Sequence, residues 1–134
     1  MNIKDRRVVV TGAASGIGRA LARRFHQEGA KLVVCADLNG DGAAATAKEI
    51  GGIAATVNVG IEAEIEGLID RIERDHGAID LFCSNAGISV SGGPEVANDQ
   101  WQRIWDINLM AHVFAARHLV PRMIARGGGY LLNT

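Results

Sequence analysis

The sequence carries almost no excess of charge. Its 14 Lys and Arg face 15 Asp and Glu over 134 residues, a formal net charge of −1. Binding to nucleic acid or an anionic membrane usually needs a basic patch large enough to show in such a count, so both kinds of partner are excluded from the reading. No apolar run approaches the roughly 20 residues that a membrane span needs. The polar start, Met1 to Arg7, lacks the layout of a secretory signal. Cysteine is scarce as well: Cys35 and Cys83 each lie in a short apolar run and read as small buried hydrophobes of a reducing, cytoplasmic setting. The four histidines, His26, His76, His112 and His118, form no i,i+3 or i,i+4 pair, so no metal site is expected. There is no linker, repeat or low-complexity segment. With 48% hydrophobic and 22% charged residues, the chain reads as one folded domain over residues 1–134.

Glycine is what the sequence has in quantity, 17 of 134 residues against a usual level of roughly 7%. The glycines are not periodic, and many stand at the ends of apolar runs, where tight turns belong. Those runs are of two kinds. Val8–Val10, Leu32–Cys35, Ala55–Val57, Ile79–Cys83 and Tyr130–Leu132 are short and continuous, the pattern of strands buried on both faces of a parallel sheet. Between them Ile17, Leu21 and Phe25 recur every four residues. Ile65, Leu68, Ile69 and Ile72 follow i, i+3, i+4, i+7, and the alanine-rich stretch Asp41–Ile50 also reads as helix. Trp101, Ile104 and Trp105 open a long helical stretch running toward Arg126, which Pro121 should kink or interrupt near Leu119. Strands alternating with helices predict right-handed crossovers and an α/β, doubly wound parallel sheet.

The strongest chemical signal is Thr11-Gly12-Ala13-Ala14-Ser15-Gly16-Ile17-Gly18, which follows the first strand and opens the first helix. A helix N-terminus carries unpaired N–H groups and about half a positive charge, so a pyrophosphate fits there. Side chains at Gly12 or Gly16 would keep phosphates from the backbone, and one at Gly18 would separate helix from strand. The competing reading is a purely structural glycine turn. Asp37 closes the second strand nineteen residues after Gly18. There it can accept hydrogen bonds from the adenosine ribose hydroxyls and repel a 2′-phosphate, while no basic residue stands at Ser15 or Leu38. NAD is therefore expected in preference to NADP. The alternative for Asp37 is a turn-former before Asn39-Gly40. Arg19, Arg23 and Arg24 on the first helix read as one solvated face.

The spacing Gly-x-x-x-Gly-x-Gly resembles that of the short-chain dehydrogenase/reductase family in its single-domain form. Ser84-Asn85-Ala86-Gly87 after the fourth strand is similar to that family's Asn-Asn-Ala-Gly element, with Ser in the first place. Asn108 resembles the family asparagine that supports the catalytic proton relay, and Gly129–Asn133 resembles the fifth strand. The resemblance runs in order over the whole chain and implies a Rossmann-type domain. By position it implies Ser15, Gly16, Ile17 and Gly18 at the pyrophosphate, with Asp37 and Leu38 at the adenosine ribose. Asn58 and Val59 would flank the adenine, Asn58 standing where the family usually has Asp. Asn85, Ala86, Gly87 and Ile88 would line the path toward the nicotinamide.

The resemblance also implies what is missing. The family's Ser would fall about two positions beyond Thr134, and its Tyr and Lys roughly a dozen residues later. The only tyrosine here is Tyr130, and the only lysines are Lys4, Lys31 and Lys48. A positioned acid/base group contributes roughly 10²–10⁴-fold to a rate. The chain is thus expected to be the dinucleotide-binding part of an NAD-dependent oxidoreductase of alcohols or carbonyls, incomplete in its fifth strand and inactive alone. Only Asn108 would be left in a supporting catalytic role. An apolar edge at Tyr130–Leu132 and a long helix that in whole family members packs against a second subunit imply a homo-oligomer. The alternatives are a non-catalytic NAD-binding or regulatory module, and one half of a split enzyme.

Overall fold

A computed structural model describes residues 1–134. Five strands form one sheet: β1 (Arg7–Thr11), β2 (Leu32–Asp37), β3 (Ile53–Thr56), β4 (Leu81–Ser84) and β5 (Tyr130–Asn133). Their spatial order is β3-β2-β1-β4-β5 and every pairing is parallel. The helices are α1 (Gly16–Gln27), α2 (Gly40–Ile50), α3 (Glu62–His76), α4 (Asn98–Trp105) and α5 (Ala111–Ala125), with a π-helical turn over Asp106–Met110 joining the last two. This is the α/β doubly wound, Rossmann-like architecture expected from the strand–helix alternation.

The continuous valine runs are explained by burial on both sides. In β1, Val9 joins the cluster built with Ile65, Leu68, Ile69 and Ile72 of α3 and Ala115, Leu119 and Met123 of α5. Val8 and Val10, pointing the other way, join Ala22 and Phe25 of α1 and Ala47 and Ile50 of α2. Helices thus cover each face of the sheet. Cys35 and Cys83 are buried in the α1/α2 layer as free thiols. Burial pushes both up to about 11, aided at Cys35 by the nearby Glu49 charge, so neither is a thiolate at neutral pH.

Three details differ from the sequence pattern. The third strand begins two residues earlier than Ala55 and ends before Val57. Gly51, at φ +62°, terminates α2 and lets Ile53 pair at once with Val34. Val57 and Val59, at 3% and 7% exposure, still fill the core, but from the loop beyond the strand. Ile17 is not part of the core face of α1: it is 69% exposed, and Gly18, Ala22 and Phe25 are the residues that helix buries. Pro121 does not interrupt α5, which runs unbroken to Ala125. A proline inside a helix costs about 3 kcal/mol relative to alanine, and the core burial of Leu119 and Met123 on either side of it holds the helix together. The irregularity in the long helix lies upstream, in the π turn.

Candidate functional site

In such a sheet the order reverses between β1, which leads on to β2 and β3, and β4, which leads to β5. The loops leaving β1 and β4 therefore part company, and a crevice opens at the carboxyl ends of the strands. The cavity found there has a volume of about 590 Å³. All thirteen candidate cofactor residues line it, and they arrive from four separate strand ends.

From β1 come Gly12, Ser15, Gly16, Ile17 and Gly18. Gly12 has φ +70°, and a Cβ there would lie 2.9 Å from Ala86 Cα and 3.0 Å from Asn85 Nδ2. Its missing side chain thus lets the turn close onto the loop after β4, a different reason from the phosphate approach inferred from spacing. A Cβ on Gly18 would overlap the Gly12 carbonyl, so this glycine seats α1 against the turn as expected. Gly16, at φ +50°, has nothing within 4 Å of its Cβ position. It is the glycine that leaves backbone bare toward the cavity. Ser15 precedes α1 in extended conformation, and its side chain makes no capping bond. No acidic residue occupies the first turn of that helix, so its positive end is unneutralised.

From β2 come Asp37 and Leu38. The Ala14 N–H, inside the glycine turn, donates to Asp37 Oδ2 at 2.9 Å, and the Asn39 N–H donates to Oδ1 at 2.9 Å. Asp37 thus shapes the turn that starts α2 and holds a carboxylate against the bend. Leu38 is 64% exposed. From the end of β3 come Asn58 and Val59, with Val57 beside them; Asn58 Oδ1 accepts the Gly60 N–H at 3.0 Å.

From β4 come Asn85, Ala86, Gly87 and Ile88. Thr11 ties this loop to β1: its hydroxyl donates to the Cys83 carbonyl at 3.4 Å and accepts from the N–H groups of Asn85 and Ala86 at 3.0 and 3.1 Å. Asn85 Nδ2 donates back to the Thr11 carbonyl at 3.1 Å. Asn108 does not reach the cavity wall. It sits behind it, its Oδ1 accepting the Ile88 N–H at 2.9 Å and its Nδ2 donating to the Ile88 carbonyl at 2.8 Å. That two-point clamp is made from within the π turn, a device that often marks functional positions in helices.

Sequence reasoning missed Arg103, Ile107 and Thr134, which complete the lining with Val57. Arg103 and Ile107 stand one turn apart early in the long helical stretch, in α4 and the π turn, and nothing local marks them. Thr134 Oγ1 donates to Asn85 Oδ1 at 3.2 Å. Of the three arginines on α1, Arg23 pairs with Glu49 and Arg24 with Glu28 on an exposed face, whereas half-buried Arg19 departs from it, donating to the buried Thr46 Oγ1 at 3.2 Å and to the Ala14 carbonyl. Tyr130 pairs with Leu81 at the amino end of β4. It is therefore at the far edge of the sheet from the cavity, and no lysine lines the cavity.

The chain matches the family model described as short chain dehydrogenase over residues 6–134. It is 40% identical to the 1-deoxy-11-beta-hydroxypentalenate dehydrogenase of Streptomyces exfoliatus, over 100% of this chain and 52% of that protein. It is 34% identical to the 3beta-hydroxysteroid dehydrogenase 2 of Eggerthella lenta, over 94% of this chain and 51% of that one. Among solved structures, a short-chain dehydrogenase from Novosphingobium aromaticivorans superposes with a TM-score of 0.91 at 26% identity, covering 98% of this chain and 52% of that chain. A ribose-5-phosphate isomerase from Brucella melitensis superposes equally well, at 28% identity and the same coverage. The chain thus spans about half the length of the curated relatives it matches.

Proposed function

Because the chain belongs to the short-chain dehydrogenase/reductase family, we propose that its cavity binds NAD and that the protein serves hydride exchange between NAD(H) and an alcohol or carbonyl compound. The observation that carries this reading is the 2.9 Å hydrogen bond from Ala14 N–H to Asp37 Oδ2. It holds a carboxylate beside a bend whose Gly16 leaves backbone open to a ligand. The remaining lone pairs of Asp37 suit the two vicinal hydroxyls of an adenosine ribose, and its charge opposes a 2′-phosphate. Gly16, Ser15, Ile17 and Gly18 present the positive end of α1 to a pyrophosphate. Asn58 and Val59 take the adenine side, and Asn85 to Ile88 guide the other end. When bound, the nicotinamide supplies the hydride acceptor or donor. Asn108 fixes the backbone of Ile88 and so the wall on that side.

The 134 residues hold one tyrosine, no Tyr-x-x-x-Lys, and no lysine in the cavity. The same reading therefore takes this chain as binding nucleotide without turnover on its own, in a cytoplasmic and self-associating protein. Titration calorimetry tests it. NAD is expected to bind, with NADP at least tenfold weaker, and Asp37→Ser is expected to erase that preference. A protein that binds neither nucleotide overturns the proposal. The second reading, a non-catalytic NAD-binding module, is favoured by the position of Tyr130 at the opposite edge of the sheet. A stable monomer that binds NAD tightly and shows no dehydrogenase activity in any longer form supports it.

A further inference from the structure

Arg103 is the one cation lining the cavity, and Asp37 the one anion. Arg6, Arg23, Arg117, Arg122 and Arg126 all hold carboxylates, whereas Arg103 is exposed and forms no ion pair. The two acids a helical turn away are engaged elsewhere: Asp99 accepts from the Gln100 N–H at 2.9 Å, and Asp106, in the π turn, from Gln102 Nε2 at 2.8 Å. The position of this helix end is fixed by the loop it rests on. A Cβ on Gly60 would come within 3.3 Å of Ile107 Cγ1 and 3.7 Å of Asp106 Cβ, so the last turn of α4 and the π turn sit over Asn58–Gly60. One turn before Ile107, Arg103 rises at the rim of the same end of the cavity. The walls there are apolar: Leu38, at 64% exposure, Val59 and Ile107.

An unpaired guanidinium beside an apolar slot is suited to a flat aromatic ring. It is planar, weakly hydrated and stacks on π-faces more readily than an ammonium does. The phosphate-binding elements, by contrast, belong to the turn between β1 and α1. We propose that Arg103 stacks on the purine of the bound nucleotide and is a specificity-determining contact for adenine. The inference rests on the nucleotide reading above and adds a residue to it.

The test measures binding of adenosine, ADP and NAD by the purified protein, Arg103→Ala and Arg103→Lys, at low and high salt. Arg103 is exposed, so neither variant is expected to unfold the chain, and circular dichroism checks that. Arg103→Ala is expected to weaken adenosine and NAD by a similar factor, about three- to tenfold, with little dependence on salt, and Arg103→Lys to retain part of the affinity. A loss confined to ADP and NAD that fades in high salt would place the guanidinium on phosphate and overturn the proposal, as would unchanged affinity for all three. Failure of the unsubstituted protein to bind any of them is a different result: it overturns the nucleotide reading itself.

Discussion

Gly18 sits where the turn after β1 meets α1, and a methyl group there would overlap the Gly12 carbonyl. The neighbour is backbone and cannot swing aside. Gly18→Ala is therefore expected to destabilise the chain by about 1–3 kcal/mol, seen as a lower urea midpoint. Gly16→Ala is expected to leave the folded packing intact, since nothing lies within 4 Å, and to act through its positive φ and on nucleotide binding. Asn108 is a residue of another kind. Its amide meets both backbone groups of Ile88, at 2.9 and 2.8 Å. Asn108→Ala removes both contacts, and at roughly 1 kcal/mol per hydrogen bond the Ile88 amide is expected to exchange with solvent about thirtyfold faster. Asn108 is readable as an important asparagine from its resemblance to the family pattern. Its partner is not, because twenty residues separate the two and the π turn that aims it leaves no mark in the hydrophobic pattern.

At the scale of elements, α3 and α5 are held together by their apolar faces and by a line of ion pairs. Glu62 meets Arg117 and His118, and Glu73 meets Arg122 and Arg126. Burial tends to raise the Glu73 carboxyl, but the Ile79 N–H and the guanidiniums of Arg126 and Arg122 outweigh it and hold the group below its ordinary value of 4.5. A depressed folded value means that the stabilisation is complete above the ordinary value and is lost as pH falls through the lower one. Glu73→Gln is thus expected to lower stability at neutral pH and to flatten the loss of stability below about pH 4.5, followed by thermal melts across pH. Helix α5 offers a second test. Pro121 withholds the hydrogen bond that residue 121 would give to the Arg117 carbonyl. Pro121→Ala is expected to raise Tm by several degrees, α5 running unbroken through this position. Periodicity located these helices well; the interruption it allowed at Pro121 does not occur, because the core that Leu119 and Met123 fill outweighs local propensity.

For the whole molecule, the long helical stretch leaves Trp101 and Trp105 at 52% and 54% exposure, with Leu109 and Val113 following at four-residue intervals at 41% and 38%. Apolar surface so arranged favours association. Sedimentation is expected to show oligomers that dissociate on dilution, and Trp101→Glu with Trp105→Glu to leave a monomer of unchanged helicity. A monomer at all concentrations in the original protein would refute the expectation. No helix is long and apolar enough to cross a membrane.

The sequence by itself determined the alternation of strand and helix, the glycine turn and the carboxylate nineteen residues beyond it. Each of these is written locally, in runs of β-branched residues, in helical spacing and in positions where only glycine permits the backbone to bend. The tertiary structure alone decided that Asp37 bonds Ala14, that Gly12 yields to Ala86, that Ile17 faces outward and that Arg103 reaches the cavity. Those contacts join segments that meet only because the sheet reverses its order between β1 and β4, and no local pattern of side chains encodes who the neighbours across that crevice will be.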